Sequence, residues 1–104
     1  MSAKNGSTPG FLAHREGDSV AVAVVDPPAG PADGGYLHSS GDLHVELTEA
    51  VPLGHKFALH DIDAGADVIE YGARVAIASK AIHKGEHVHV HNVRSARWQH
   101  SVVS

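Results

Sequence analysis

Two stretches of this chain carry the same punctuation, and that repeat constrains the fold more than any other feature. Asp61-Ile62-Asp63-Ala64-Gly65-Ala66-Asp67-Val68-Ile69 aligns with Ala81-Ile82-His83-Lys84-Gly85-Glu86-His87-Val88-His89, placing Ile62 over Ile82, Gly65 over Gly85 and Val68 over Val88 at a constant offset of 20 positions. Each copy reads as an apolar anchor, a turn whose glycine takes positive φ, and a strand leaving in a new direction. Two copies are too few for a solenoid, so they predict duplicated hairpin corners inside one β domain.

The flanking sequence agrees. Phe11-Leu12-Ala13-His14 is a short apolar run closed by a turn at 15–18, and Ser19-Val20-Ala21-Val22-Ala23-Val24-Val25 is a continuous apolar run of the kind that forms a buried strand. Asp26-Pro27-Pro28-Ala29-Gly30-Pro31 stops that strand, since proline cannot donate to a ladder, and a loop through Gly34-Gly35 is expected next. Leu43, Val45 and Leu47 alternate with His44, Glu46 and Thr48, which predicts a half-exposed strand, although Leu43, Leu47, Ala50 and Val51 also suit a short helix. Val75 and Ile77 alternate with Arg74, Ala76 and Ala78 as a further strand. No segment has the spacing of a long amphipathic helix, so the expected class is all-β.

Composition sets the scale. The 104 residues suit one small domain, and with aromatics at only 5% the core must be built from small and β-branched side chains. A polar start predicts a tail over 1–10, a folded domain over 11–98 and a second tail over 99–104. A formal charge of −4 with mixed signs leaves no footprint for nucleic acid or an anionic membrane. There is no bilayer-length apolar run and no apolar core of a secretory signal, so the expected compartment is the cytoplasm. Lack of cysteine removes thiolate metal sites and leaves His, Asp and Glu as ligand types.

Chemistry concentrates near the end, in Gly85-Glu86-His87-Val88-His89-Val90-His91-Asn92. In a strand this spacing sends His87, His89 and His91 to one face and Val88 and Val90 to the other. Imidazoles bind metals and titrate near neutral pH, so the row points to a ligand, metal or proton-transfer role; an edge strand with a solvated polar face looks the same. His14, His38, His44, His60, His83 and His100 have no spacing that asks for a ligand and read as surface residues.

Three runs in order are distinctive: Ala50-Val51-Pro52-Leu53-Gly54-His55-Lys56-Phe57-Ala58-Leu59, then Asp61-Ile62 through Ala64-Gly65, Val68-Ile69 and Tyr71-Gly72, then Gly85, Val88-His89 and His91-Asn92. Together they resemble the N-terminal module of the altronate and galactarate dehydratase family, a SAF domain, over roughly residues 11–98. The resemblance implies a β-clip fold of bent hairpins. It also implies a carbon–oxygen lyase, a dehydratase that takes the proton α to a carboxylate and expels water from the β position of a sugar acid or related hydroxy acid, with sulfite from sulfolactate as the alternative leaving group and ferrous iron or another divalent metal as cofactor.

In the family this module precedes a much larger domain, so a separate large catalytic subunit is the implied partner, sharing the metal. The opening Phe11-Leu12, His14 and Gly17-Asp18, with the closing Arg97-Trp98, look closer to the small-subunit form seen among sulfolactate sulfo-lyases. Ala76 stands where relatives often carry glycine.

On this resemblance His89 and His91 are the expected metal ligands, with Asn92 beside them for substrate hydroxyls. Lys56 is expected to hold a substrate carboxylate and His55 to relay a proton. Arg74 is a candidate partner for an acidic substrate, though a solvated arginine is the commoner fate. His87, aligned with Asp67, reads as solvated, and Tyr71-Gly72 as structural, the ring covering the core and the glycine taking a bend.

Two other classes stay open at this level. One is a carbohydrate- or small-anion-binding module without catalysis; the other is a histidine-rich metal buffer, with self-association possible in either case. A neighbouring reading frame encoding the large domain favours the enzyme subunit.

Overall fold

The computed structural model describes residues 9–38 and 40–95, so the expected closing motif at Arg97-Trp98, most of both tails and His100 lie outside the described residues. Nine strands are formed among them: β1 (Phe11–Ala13), β2 (Val20–Ala23), β3 (Gly30–Tyr36), β4 (Asp42–Leu47), β5 (Lys56–Ala58), β6 (Asp67–Glu70), β7 (Ala73–Ala78), β8 (His87–Val88) and β9 (Val93–Ser95). They make a six-stranded sheet in the order β4-β3-β1-β2-β5-β8 and a three-stranded sheet in the order β6-β7-β9. All neighbours are antiparallel except β1 and β3. The class is all-β, as the sequence predicts.

The continuous apolar run becomes β2 because both faces of that strand are covered. Ala21 and Ala23 enter one core with Phe11, Val45, Leu47 and Phe57, while Val20 enters a second core with Ile62, Val68, Ile82 and Val88. Neighbouring β5 divides in the same way, Phe57 to the first core and Ala58 to the second. The run is shorter than expected: beyond Ala23 the chain leaves the ladder and Val25 is exposed. In the first core the rings of Phe11 and Phe57 meet edge to face, centroids 4.9 Å apart.

The expected loop through Gly34-Gly35 is instead part of β3, a seven-residue strand paired on both edges. Poor strand propensity is overridden there by two ladders. Gly34 is also required sterically, since a Cβ at that position would lie 2.5 Å from the Phe11 ring. The helix alternative for 43–51 does not form; β4 pairs with β3 over its whole length. In β7 the inward face is the alanine face, Ala76 and Ala78 being buried while Val75 is exposed. Ala76 sits opposite Val68 in the second core, so its methyl is accommodated.

The repeat forms an intertwined pair. Ile62 and Ile82 exchange two backbone hydrogen bonds, each N–H donating to the other's carbonyl at 2.8 Å. Gly65 and Gly85 take φ of 85° and 86°, and their N–H groups donate to Ala78 and Ala58, themselves 20 positions apart. The equivalence therefore extends into the preceding strands. Lys56 and Phe57 pair with Val88 and His87, while Ala76 and Ile77 pair with Val68 and Asp67. Each copy's first strand thus pairs with the other copy's second, around the crossing of Ile62 and Ile82.

Tyr71 does not cover the core. Its ring is 54% exposed and stacked on His14 at 4.5 Å, with the backbone at φ 62°. The carboxylate of Asp18 holds that turn, accepting the N–H groups of Tyr71 at 2.8 Å and Gly72 at 3.1 Å.

Candidate functional site

The turn Pro52-Leu53-Gly54 sets the first element of the site. Gly54 takes φ 84°, the His55 N–H closes the turn on the Pro52 carbonyl at 2.9 Å, and the Asp26 carboxylate caps the Leu53 N–H at 2.8 Å. His55 is thereby fixed immediately before β5. Antiparallel pairing brings β8 alongside, with His87 opposite Phe57.

The expected alternation over 87–91 ends after two residues. Beyond Val88 the chain turns, and Asn92, fully buried, ties that turn together: its Oδ1 accepts the His89 N–H at 2.9 Å and its Nδ2 donates to the His87 carbonyl at 2.8 Å. Both ends of the amide are consumed, so Asn92 does not reach substrate as expected; it fixes the backbone of two histidines instead. Val90, expected to pack, is 80% exposed.

The result is a cluster absent from the linear reading. His55, His87 and His89 have ring centroids 4.7 to 5.5 Å apart. Nδ1 of His55 lies 2.9 Å from Nε2 of His87, and one nitrogen from each of the three lies within 4.8 Å of the other two. His91 meets this group through His87, at 5.5 Å between rings. The expected ligand pair His89 and His91 is therefore replaced geometrically by His55, His87 and His89, and His87 is not the solvated side chain its alignment with Asp67 implied.

Burial, reinforced by His55, holds the His87 pKa below the ordinary histidine value against the opposing pull of Glu49. A neutral imidazole keeps a lone pair for a metal or a proton.

Lys56 follows on β5, its Nζ 2.9 Å from Oε1 of the buried Glu70. The other oxygen of Glu70 faces Nε2 of His14 at 3.5 Å. Lys56 is thus held in place while its half-exposed ammonium keeps donors for a ligand. Arg74 is drawn away, 3.6 Å from Asp67 on the neighbouring strand.

A cavity of about 820 Å³ opens between the two sheets. The six-stranded side contributes His55, Lys56 and His89; the three-stranded side contributes Val68, Val75 and Arg94. Arg94, which carried no signal in the sequence, lines this cleft, and Arg74 does not.

An all-β clip with a histidine and lysine rim on one wall of its cleft is the architecture the resemblance implied, and the family assignment follows: residues 9–96 match the altronate/galactarate dehydratase SAF domain, and the chain belongs to that family. Among its relatives is the (2R)-sulfolactate sulfo-lyase subunit alpha of Chromohalobacter salexigens, 38% identical over 90 residues, a match covering 85% of this chain and 96% of that subunit. The altronate dehydratase of Escherichia coli is 45% identical over 78 residues, covering 75% of this chain but 15% of that enzyme. The corresponding alpha subunit of Paracoccus pantotrophus is 34% identical over 59 residues, 57% of this chain and 88% of that subunit. The match thus takes in nearly the whole of one kind of relative and about one seventh of the other.

Proposed function

We propose that this chain is the small subunit of a hydroxy-acid lyase whose large catalytic subunit is a separate polypeptide. The observation that carries this reading is the coverage: the sulfo-lyase alpha subunit is matched over 96% of its length, so a chain of this kind stands as a subunit in its own right. The finer reading we favour is carbon–sulfur rather than carbon–oxygen cleavage. A sulfolactate-like substrate carries a carboxylate and a sulfonate, and the cleft holds two cations, Lys56 and Arg94, for two anionic groups.

In this reading Lys56, steadied by Glu70, binds the substrate carboxylate and offsets the charge that builds on it when the α proton leaves. The large subunit supplies the base that takes that proton, and His55 stands at the cleft rim among the histidines that would hold a metal. Arg94 takes the β anion that departs. A divalent metal, implied by the resemblance, would supply a Lewis acid for the substrate oxygens. Val68 and Val75 line the remaining wall and exclude water once the large subunit closes the cleft.

The test is reconstitution with a large subunit of the same family from the same source. The purified chain alone should release no sulfite from (2R)-sulfolactate and no water from altronate, and the complex should release one of them. Turnover by the chain alone, or no complex with that partner, would sink the reading and leave a small-anion-binding module in its place.

A further inference from the structure

We propose that this chain by itself binds one divalent first-row transition-metal ion through His55, His87 and His89, leaving the remaining coordination positions open to the cleft. The proposal rests on the lyase-subunit reading only for what the metal is for. The binding claim stands on the geometry of this chain.

Three observations converge. First, the donors come from the turn before β5, from β8 and from the turn after it yet meet, one nitrogen of each lying within 4.8 Å of the other two. Bound to a common ion at about 2.1 Å, imidazole nitrogens stand roughly 3 to 3.5 Å apart, so the rings need only small rotations. The His55 and His87 nitrogens, at 2.9 Å, are already that close.

Second, the backbone behind two of the ligands is preorganised. Buried Asn92 clamps the His89 N–H and the His87 carbonyl, and the Glu49 carboxylate accepts the His87 N–H at 3.3 Å. These bonds fix the main chain from which the two rings project, so little ordering is left for ion binding to impose there.

Third, the set has an open side. His55 and His89 both line the cleft beside Lys56 and Arg94. An ion held there would be reachable by a hydroxyl or carboxylate of a bound substrate. Three imidazole nitrogens with no carboxylate among them suit iron, cobalt, nickel or zinc rather than magnesium or calcium.

The experiment uses the full chain without an affinity tag. Cobalt(II) is titrated in while its d–d absorption is followed, and zinc(II) competition is followed by calorimetry. The expected result is one ion per chain, with affinity falling at least tenfold in each of His55→Ala, His87→Ala and His89→Ala. His91→Ala and His44→Ala should stay within twofold. Asn92→Ala should weaken cobalt binding while leaving all three ligands in place, with melting curves confirming that each variant is folded. No saturable binding by the wild-type chain would overturn the proposal, as would equal losses in His91→Ala and His89→Ala. Complex formation with the large subunit is measured on the same variants. Loss of metal with the complex intact would separate this site from the subunit reading, and metal binding by a chain that finds no partner would do the reverse.

Discussion

The two copies of the repeat share a backbone and differ in what they carry. At the crossing they are interchangeable: Ile62 and Ile82, Ala58 and Ala78, and Val68 and Val88 all fill the second core. Around it they part. His55 answers to Val75, Lys56 to Ala76, His87 to Asp67 and His89 to Ile69. The first member of each pair lies on the β5-β8 side; His55, Lys56 and His89 line the cleft, and His87 meets His55 at 2.9 Å. The fold needs an isoleucine, a glycine and a valine at fixed places in each copy; it leaves the positions between them free, and one side has collected the chemistry.

The glycines test how far the equivalence reaches. Gly85 is wedged against β4, where an added Cβ would meet the Glu46 carbonyl oxygen of the backbone, whereas Gly65 has open space at the same point. Gly85→Val should cost about 4 kcal/mol, combining overpacking with a left-handed β-branched residue, and Gly65→Ala only about 1 kcal/mol. Urea denaturation midpoints measure both, and equal losses would break the distinction.

The crossing isoleucines should behave alike. Each is almost fully buried, at 4% and 1% exposure, so Ile62→Ala and Ile82→Ala should each cost about 3 kcal/mol. A difference above about 1.5 kcal/mol would show that one copy carries the core alone.

Asn92 has no counterpart in the first copy's turn, and Asn92→Ala should cost about 2 kcal/mol by leaving the His89 N–H and the His87 carbonyl unpaired. Calorimetric melting checks it.

The smallest effect expected is on pH. Because the folded His87 pKa is lowered, the unfolded chain takes up this proton first as pH falls. The metal-free chain should therefore keep its full stability above about pH 6.5 and lose some as pH drops below it, and His87→Gln should flatten that slope. An unchanged slope between pH 7 and 5 would remove His87 from the account.

Much of the fold was legible because its determinants are local. Positive-φ glycines, proline stops and apolar runs each act within a few residues, and the offset between Gly65 and Gly85 exposed the duplication directly. β3 escaped because its pairing comes from β1 and β4 on either side, which lets Gly30-Pro31 and Gly34-Gly35 sit in a strand despite their propensity. The site was legible in its residue types but not in its grouping. His55 and His87 are 32 positions apart, and only the β5-β8 pairing joins them. His89 and His91 share a face only in an ideal strand; the two-residue length of β8 and the turn held by Asn92 undo that register. Arg94 became visible only once β9 was placed beside β7.

The central claim is that the two interlocked pairings divide the work: β6 with β7 builds the fold, while β5 with β8 also carries the site that a large subunit completes. Positions 67 and 87 test it most directly, being equivalent in backbone and opposite in expected role. Sulfite release from (2R)-sulfolactate is measured for the reconstituted two-subunit enzyme carrying His87→Ala or Asp67→Ala. The account predicts a fall of at least 100-fold for His87→Ala and activity within threefold of wild type for Asp67→Ala, with both variants assembling normally. Wild-type turnover in His87→Ala, or an equal fall in the two variants, would contradict it.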